Sequence, residues 1–360
     1  MKKSTSRFAG PLLGLVAYTA LAGCASHTPL PDCAPGDGTT PVCGFQNPED
    51  LVGLDDGWML ISQMVLADEP GSLVAFRPTD GARSVVWPTD ETTLAGAGNG
   101  SCAPPSLDEF APHGIELSRD RRTLLVVNHG GRESIERFAI GERDGVPTLT
   151  WSDCILFEQN VMLNDVASLP GGDFVVTQMV SQSLFSPLAL VLGLDTGRVW
   201  HWSRSGGIRA IPESEGNGPN GIVASQDGET LYFSEWGAQQ VVRLRRDGTG
   251  RQAAPLGFHP DNLSWTADGR VLVGGQIAGP IEATGCFELL EGGCSLPSAV
   301  ATVDPETLAV RRVWTHDPAT AVGGVSAALE RDDVIWLGAF GGDRIGWIPW
   351  NLPGPARDPQ

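Results

Sequence analysis

The sequence predicts an all-β protein, a six-bladed β-propeller around a central metal-binding channel. Three observations predict it. A unit of polar anchor, short strand, Asp/Gly turn and second strand recurs six times along the 360 residues. The repeated stretches carry no helical periodicity. Oxygen-bearing side chains stand at the head of most copies, where a propeller would set them around its axis.

The copies are PEDLVGLDDGWMLISQ from Pro48, HGIELSRDRRTLLVVNH from His113, NDVASLPGGDFVVTQ from Asn164, NGIVASQDGETLYFSE from Asn220, DNLSWTADGRVLVGGQ from Asp261 and GGVSAALERDDVIWLGAF from Gly323. With Glu49, His113, Asn164, Asn220, Asn262 and Gly324 as anchors, the spacings are 64, 51, 56, 42 and 62. Strand-like stretches such as VAFRP, VWHWS, VVRLR and ATVDP fall between them. About four strands per ~50 residues is the content of a propeller blade. A two-sheet sandwich is the competing architecture, but it gives no reason for six repeats.

The chain divides into a leader over residues 1–23, a tether over 24–44, the propeller over 45–352 and a tail over 353–360. Lys2, Lys3 and Arg7 precede a short apolar run over 8–20, too short for a spanning helix. Leu21-Ala22-Gly23-Cys24 follows and resembles a bacterial lipobox. It implies lipidation at Cys24, export, and a lipid-anchored place in the cell envelope. Ala25 after the Cys favours the outer membrane. The Pro-, Gly- and Thr-rich stretch that follows reads as a spacer.

The formal charge is −19, and loss of the leader with its three basic residues takes it to −22. Such acidity excludes nucleic acid as a partner and suits cation binding. After Cys24 six cysteines remain, an even number that suggests disulfides in an exported protein. The nearest pairs are Cys33–Cys43 and Cys286–Cys294, which leaves Cys102 with Cys154. No Cys-x-x-Cys zinc or redox pattern occurs.

Two sequence features carry chemistry. Residues 110–129, FAPHGIELSRDRRTLLVVNH, read as a hairpin with its turn near Arg121. Antiparallel pairing about that turn sets His113 opposite His129, a base with an orienting partner. The second feature is the set of anchors: Glu49, Asp50, Asn164, Asp165, Asn220, Asp261 and Asn262. One Asn or Asp before a strand is ordinarily a turn cap bonded to its own backbone. The same position in four blades at once points to a cation, since converging oxygens otherwise repel or lack partners. Oxygen donors, several neutral and none thiolate, suit calcium better than magnesium.

The chain resembles the serum paraoxonase/arylesterase family, within the wider gluconolactonase-like and strictosidine synthase-like propellers. The resemblance rests on EDL at Glu49, FAPHGI and LLVVNH around the histidines, LNDV at Asn164, NGI…SQDG…LYFSE at Asn220 and DNLS at Asp261. It implies two calcium ions in the channel. Glu49, Asn164, Asn220, Asp261 and Asn262 would hold a catalytic one. Asp50, Asp165 and the carbonyl of Ile115 would hold a deeper structural one. His113 and His129 match the family's His dyad. The chain departs from the family in having no Cys after Cys294, so closure of the ring by a disulfide is not expected. Gln178-Met179-Val180 also replaces the family's Asn-Asp-His run.

The implied activity is a calcium-dependent hydrolase that opens lactones or cleaves aryl esters. The metal would polarise the carbonyl, and the dyad would activate water, with Asp261 as an alternative base. No Gly-x-Ser-x-Gly elbow is present, which argues against a serine hydrolase. A gluconolactonase-like enzyme without the dyad, and a non-catalytic propeller acting as a binding or scaffold lipoprotein, are the competing readings. The His pair disfavours the first and the full oxygen set disfavours the second.

Overall fold

The computed structural model describes residues 29–36, 38–65, 70–89, 93–94, 102–183, 186–287, 289 and 291–350. The expected leader, Cys24 and the tail lie outside them. Strand β1 (Thr40–Cys43) comes first in the chain but joins the last blade. Blade one is β2 (Pro48–Gly53), β3 (Met59–Gln63), β4 (Ser72–Arg77) and β5 (Ala82–Trp87). Strand β6 (Thr93–Leu94) adds in parallel to the outer edge of blade two. The rest of that blade is β7 (Pro112–Leu117), β8 (Thr123–Asn128), β9 (Ser134–Arg143) and β10 (Val146–Leu156).

Blade three is β11 (Val161–Ser168), β12 (Phe174–Ser181), β13 (Arg198–Ser203) and β14 (Gly207–Ala210), with helix α1 (Ser186–Val191) between its second and third strands. Blade four is β15 (Pro219–Ala224), β16 (Thr230–Glu235), β17 (Gln240–Arg245) and β18 (Gln252–Pro255). Blade five is β19 (His259–Trp265), β20 (Val271–Gln276), β21 (Ser298–Val303) and β22 (Val310–His316), with the short α2 (Pro280–Ala283) after its second strand. Blade six is β23 (Val325–Arg331), β24 (Val334–Ala339) and β25 (Arg344–Pro349), completed by β1. Every predicted repeat lies on the first two strands of a blade.

Among the described residues the core is divided. Six apolar clusters each lie between two neighbouring blades, and the last joins blade six to blade one. Each sheet is therefore covered on both faces. That is why inner strands such as VLVGGQ are buried at every position and show no polar alternation.

The ring closes through β1, which pairs antiparallel with β25 from Thr40↔Trp347 to Cys43↔Arg344. This corrects the expected tether over 24–44. From Leu30 onward the segment is part of the body, because Arg344 and the Cys33–Cys43 disulfide hold it. Arg344 is buried. It donates to the carbonyls of Leu30 and Asp32, each at 2.7 Å, and pairs with Asp343 at 2.7 Å. Disulfides Cys102–Cys154 and Cys286–Cys294 complete the set. Among the described residues no helix is long and apolar enough to cross a membrane.

One irregularity repeats in all six blades and positions the site. The ladder between first and second strands shifts register at Pro48/Asp50, Pro112/Ile115, Leu163/Val166, Pro219/Ile222, Pro260/Leu263 and Val325/Ala327. A bulge sets two residues against one and re-aims the side chain of the extra residue. In five blades the anchors are the bulged residues. Gly221, after Asn220, is mid-strand and not a hairpin turn. A Cβ there would stand 2.4 Å from Asn262 Cα, so glycine lets adjacent inner strands approach. Gly114 does the same against Asn164 and Asp165.

Candidate active site

The bulges of β2, β11, β15 and β19 bring Glu49, Asn164, Asn220, Asp261 and Asn262 together as buried side chains. Glu49 Oε1 accepts from Asn262 Nδ2 at 2.7 Å. Asp261 Oδ2 accepts from Gln276 Nε2 at 2.7 Å. Four further oxygens are buried without a partner: Glu49 Oε2, Asn164 Oδ1, Asn220 Oδ1 and Asn262 Oδ1. A buried acceptor with no donor costs about 1–3 kcal/mol. Four of them, at equivalent places in four blades, form a set that a hard cation would satisfy. The group contains only oxygens, three of the four carboxamide, and so fits calcium.

The charges of the ring lead to the same chemistry. Burial holds the Glu49 carboxyl well above its ordinary range, and nearby Asp50 and Asp261 raise it further. Burial pushes Asp261 up to about 7 against the opposing bonds from Gln276 and Asn220. No cluster of three or more His, Cys, Asp or Glu in metal-holding geometry occurs among the described residues. The ring reaches such a number of donors only through its carboxamides.

His113 projects from β7 into this ring. Its Nε2 lies 3.3 Å from Asn164 Nδ2 and 3.6 Å from Glu49 Oε1. Its Nδ1 lies 3.0 Å from His129 Nε2, and the two rings meet edge to face. The sequence expectation of direct cross-strand pairing is corrected here. Pro112 pairs with Asn128 and Ile115 with Val126, so the bulge falls at His113 and Gly114. The His129 amide donates instead to the carbonyl of Ala111 at 3.0 Å. The bulge, and not the register, brings the imidazoles together. Burial, then the neighbouring His129, lowers the His113 pKa well below its ordinary value, which keeps the ring neutral.

Residues 93–334 match the Arylesterase family. The chain belongs to the arylesterase family. A search of curated proteins found no match. Among solved structures the chain is similar to a luciferin-regenerating enzyme (13% identity, TM-score 0.54, covering 88% of this chain and 98% of that one). It is also similar to a gluconolactonase from Xanthomonas campestris (17%, 0.52, 86% and 89%). A third is a PQQ-bound aldose sugar dehydrogenase from Streptomyces coelicolor (14%, 0.51, 88% and 99%). These three share the fold with the chain, and their named chemistries differ.

In this arylesterase-family chain a second layer lies beneath the ring. Asp50 accepts from the Leu51 amide and, across to blade two, from the Ile115 amide, both at 2.8 Å. Asp165 repeats the arrangement with Val166 and, in blade four, Ile222, both at 2.7 Å. Burial pushes Asp50 up to about 7 and raises Asp165, whose neighbour Asp50 adds to the effect. Each Asp thus braces two blades, and each retains lone pairs for a further donor or cation. Ile115, whose carbonyl the resemblance offers to a deeper ion, meets Asp50 through its amide.

A cavity of about 520 Å³ opens at the other end of the channel. It is lined by Asp50, Ile115, Glu116, Asp165, Ser168 and Arg331 among others, and by neither His113 nor Glu49. On the His113 side stands an apolar cluster of Met64, Trp236 and Phe340 with Met179 against it. Met179 Sδ is 3.9 Å from Asn164 Nδ2, so the residue that departs from the family pattern touches a ring member.

Sequence reading missed several residues. Ser62 Oγ accepts from the Asp50 amide at 3.1 Å, and Thr177 Oγ1 accepts from the Asp165 amide at 3.0 Å. Ser234 Oγ donates to the Asp261 carbonyl at 2.8 Å, and Ser326 Oγ donates to the Glu49 carbonyl at 2.6 Å. Three of these hydroxyls precede Gln or Glu on the second strand of a blade (Ser62-Gln63, Thr177-Gln178, Ser234-Glu235), a signal present in the sequence. Glu133 is also missed. Both its oxygens lie within 3.1 Å of His129 Nδ1, and Oε1 also accepts from the Leu163 amide.

Proposed function

We propose that the protein is a calcium-dependent hydrolase of carboxylic esters, acting on lactones, aryl esters or both. Membership of the arylesterase family supports an esterase- or lactonase-type hydrolase. The observation that carries the finer reading is the set of four buried, unpartnered oxygens beside the neutral His113. Glu49, Asn164, Asn220, Asp261 and Asn262 would hold the catalytic ion. Asp50, Asp165 and Ile115 would hold a second, deeper one. Bound at the upper position, calcium would polarise the substrate carbonyl and balance the negative charge that develops on its oxygen.

The chain's own residues supply the rest. His113 takes a proton from water at Nε2, and His129 holds the ring at Nδ1. The resulting hydroxide adds to the carbonyl carbon. The C–O bond to the leaving alkoxide then breaks, and the alkoxide takes up the proton. Ester and water become acid and alcohol, or a lactone ring opens to its hydroxy acid. Met64, Met179, Trp236 and Phe340 offer an apolar wall to the acyl or aryl part. Asp261 is the second candidate base.

Hydrolysis of a panel of aryl esters and lactones, followed with calcium and with a chelator, tests the reading. Activity lost in chelator and restored by calcium is expected. Hydrolysis indifferent to calcium, or none across the panel, would remove it. We also propose export and lipidation at Cys24, which the three disulfides accord with. Mass spectrometry of the membrane-extracted N-terminal peptide should find lipid on Cys24 and nothing before it. An unmodified chain beginning elsewhere rules the anchor out.

A further inference from the structure

We infer that Glu133 is the positioning residue that sets the proton arrangement of both histidines, forming a Glu133–His129–His113 relay whose free lone pair ends at His113 Nε2. The inference rests on the dyad reading above.

The loop between β8 and β9 is built to hold Glu133. Asn128 Oδ1 accepts from the Ala111 and Gly130 amides, and its Nδ2 donates to the carbonyls of Gly130 and Arg132. The Glu133 carbonyl accepts from the Phe157 amide at 2.9 Å. The carboxylate itself is buried, with 2% of its side chain exposed, between two kinds of donor. One is the Leu163 amide at 2.6 Å, a group that can only donate. The other is His129 Nδ1 at 3.0 and 3.1 Å.

An ionised carboxylate only accepts, so His129 Nδ1 must carry the proton. In the neutral ring Nε2 is then an acceptor, and it faces His113 Nδ1 at 3.0 Å. His113 Nδ1 must therefore donate. Its Nε2 is left with a lone pair, turned toward Asn164 Nδ2 at 3.3 Å and the oxygen ring. One carboxylate, two residues removed from the reacting atoms, thus decides which nitrogen can take a proton from water.

The amide isostere separates this role from a structural one. In Glu133→Gln the side-chain oxygen still accepts from the Leu163 amide, which sets the NH2 at the Oε2 position, 3.1 Å from His129 Nδ1, beside the oxygen at 3.0 Å. The new donor there removes the all-acceptor face that imposed Nδ1–H and favours the Nε2–H form of His129, which donates to His113 Nδ1 and leaves the proton of His113 on Nε2. In Ser-His-Asp triads the same carboxylate-to-amide change traps the wrong tautomer while geometry survives.

The test uses calcium-loaded full-length protein with 15N-labelled histidine and phenyl acetate as the probe ester. His129 should show the Nδ1–H tautomer in the wild type and Nε2–H in Glu133→Gln. The kcat of Glu133→Gln should fall by about 10²-fold or more with KM within about twofold. Glu133→Asp should recover most of the loss, and calcium content should not change. Wild-type protein with His129 as Nε2–H overturns the inference whether or not any variant folds. So does a fully active Glu133→Gln beside an inactive His113→Gln. A fully active His113→Gln takes down the dyad reading, and with it the rate consequence. The His129 tautomer is then the separate measure of whether Glu133 fixes the ring.

Discussion

The proposed role of His113 as a base depends on its surroundings. Burial and the adjacent His129 keep it neutral, and its Nε2 is 3.6 Å from Glu49 Oε1, whose carboxylate would stabilise the imidazolium formed when the ring takes a proton. Asp261, held by Gln276 in the same ring, is the other candidate base. The two are separable. His113→Gln and His129→Gln should each lower kcat for an aryl ester by about 10²-fold or more, the usual contribution of a placed general base. His113 should matter more, since it faces the ring directly. Calcium affinity should hold in both, because neither imidazole belongs to the oxygen set. Full activity in both, with loss in Asp261→Ala, would assign the base to Asp261. Loss of calcium in either would make the histidines structural.

At the scale of elements, the repeating bulge and the closing strand do different work. In five of the six first strands the bulge falls at an anchor and re-aims it, and Gly114 and Gly221 let those strands crowd together. The closing strand β1 holds the ring shut, and Arg344 clamps the segment before it. Arg344→Met would take the Arg344 donor from the Asp32 carbonyl, reduce the Leu30 carbonyl to its bond from the Gly293 amide, and remove the ion pair of Asp343. The expected cost is about 3 kcal/mol of unfolding free energy, measured by urea denaturation. Early proteolysis before β2 should accompany it. A loss below about 1 kcal/mol, with the N-terminal segment still protected, would show that β1 pairing and the Cys33–Cys43 bridge suffice.

For the whole molecule, acidity and stability are linked through the channel. Without a cation, burial holds Glu49, Asp50, Asp165 and Asp261 above their ordinary values, with Asp50 and Asp261 at about 7. The folded state then keeps protons that the unfolded chain releases from about pH 4 upward. Stability from this source is present at low pH and lost as pH rises toward and through 7. Calcium bound by the folded state would offset that loss, by about 2.7 kcal/mol at a hundredfold excess over Kd. Thermal unfolding with chelator and with calcium should show a gap in midpoint that widens from pH 4.5 to 7.5. A gap of zero at every pH, with no metal by elemental analysis, would remove the cation sites from the channel.

What the sequence determined by itself was whatever one hairpin can encode. Each blade begins with a strand, turn and strand whose Asp/Gly signals are local, so six repeats and their six heads were legible from Pro48 to Gly323. Glu49, Asn164, Asn220, Asp261 and Asn262 were legible for the same reason, since they recur at one place in a repeated unit. The nearest-neighbour cysteine pairing also proved to be the one formed. The tertiary structure decided everything that depends on a partner far along the chain. Pairing of Thr40–Cys43 with residues 344–347 leaves no local mark, so a Pro- and Gly-rich stretch read as a tether. The bulge at His113 depends on the opposing strand, and so does the direction of its ring. Glu133 reaches His129 because Asn128 folds the intervening loop and because Leu163, from the next blade, offers its amide. Coverage of each sheet on both faces erased the alternation that would have marked its strands. Local turn chemistry and repetition fix where polar groups lie along the chain, but only packing between blades fixes which of them meet.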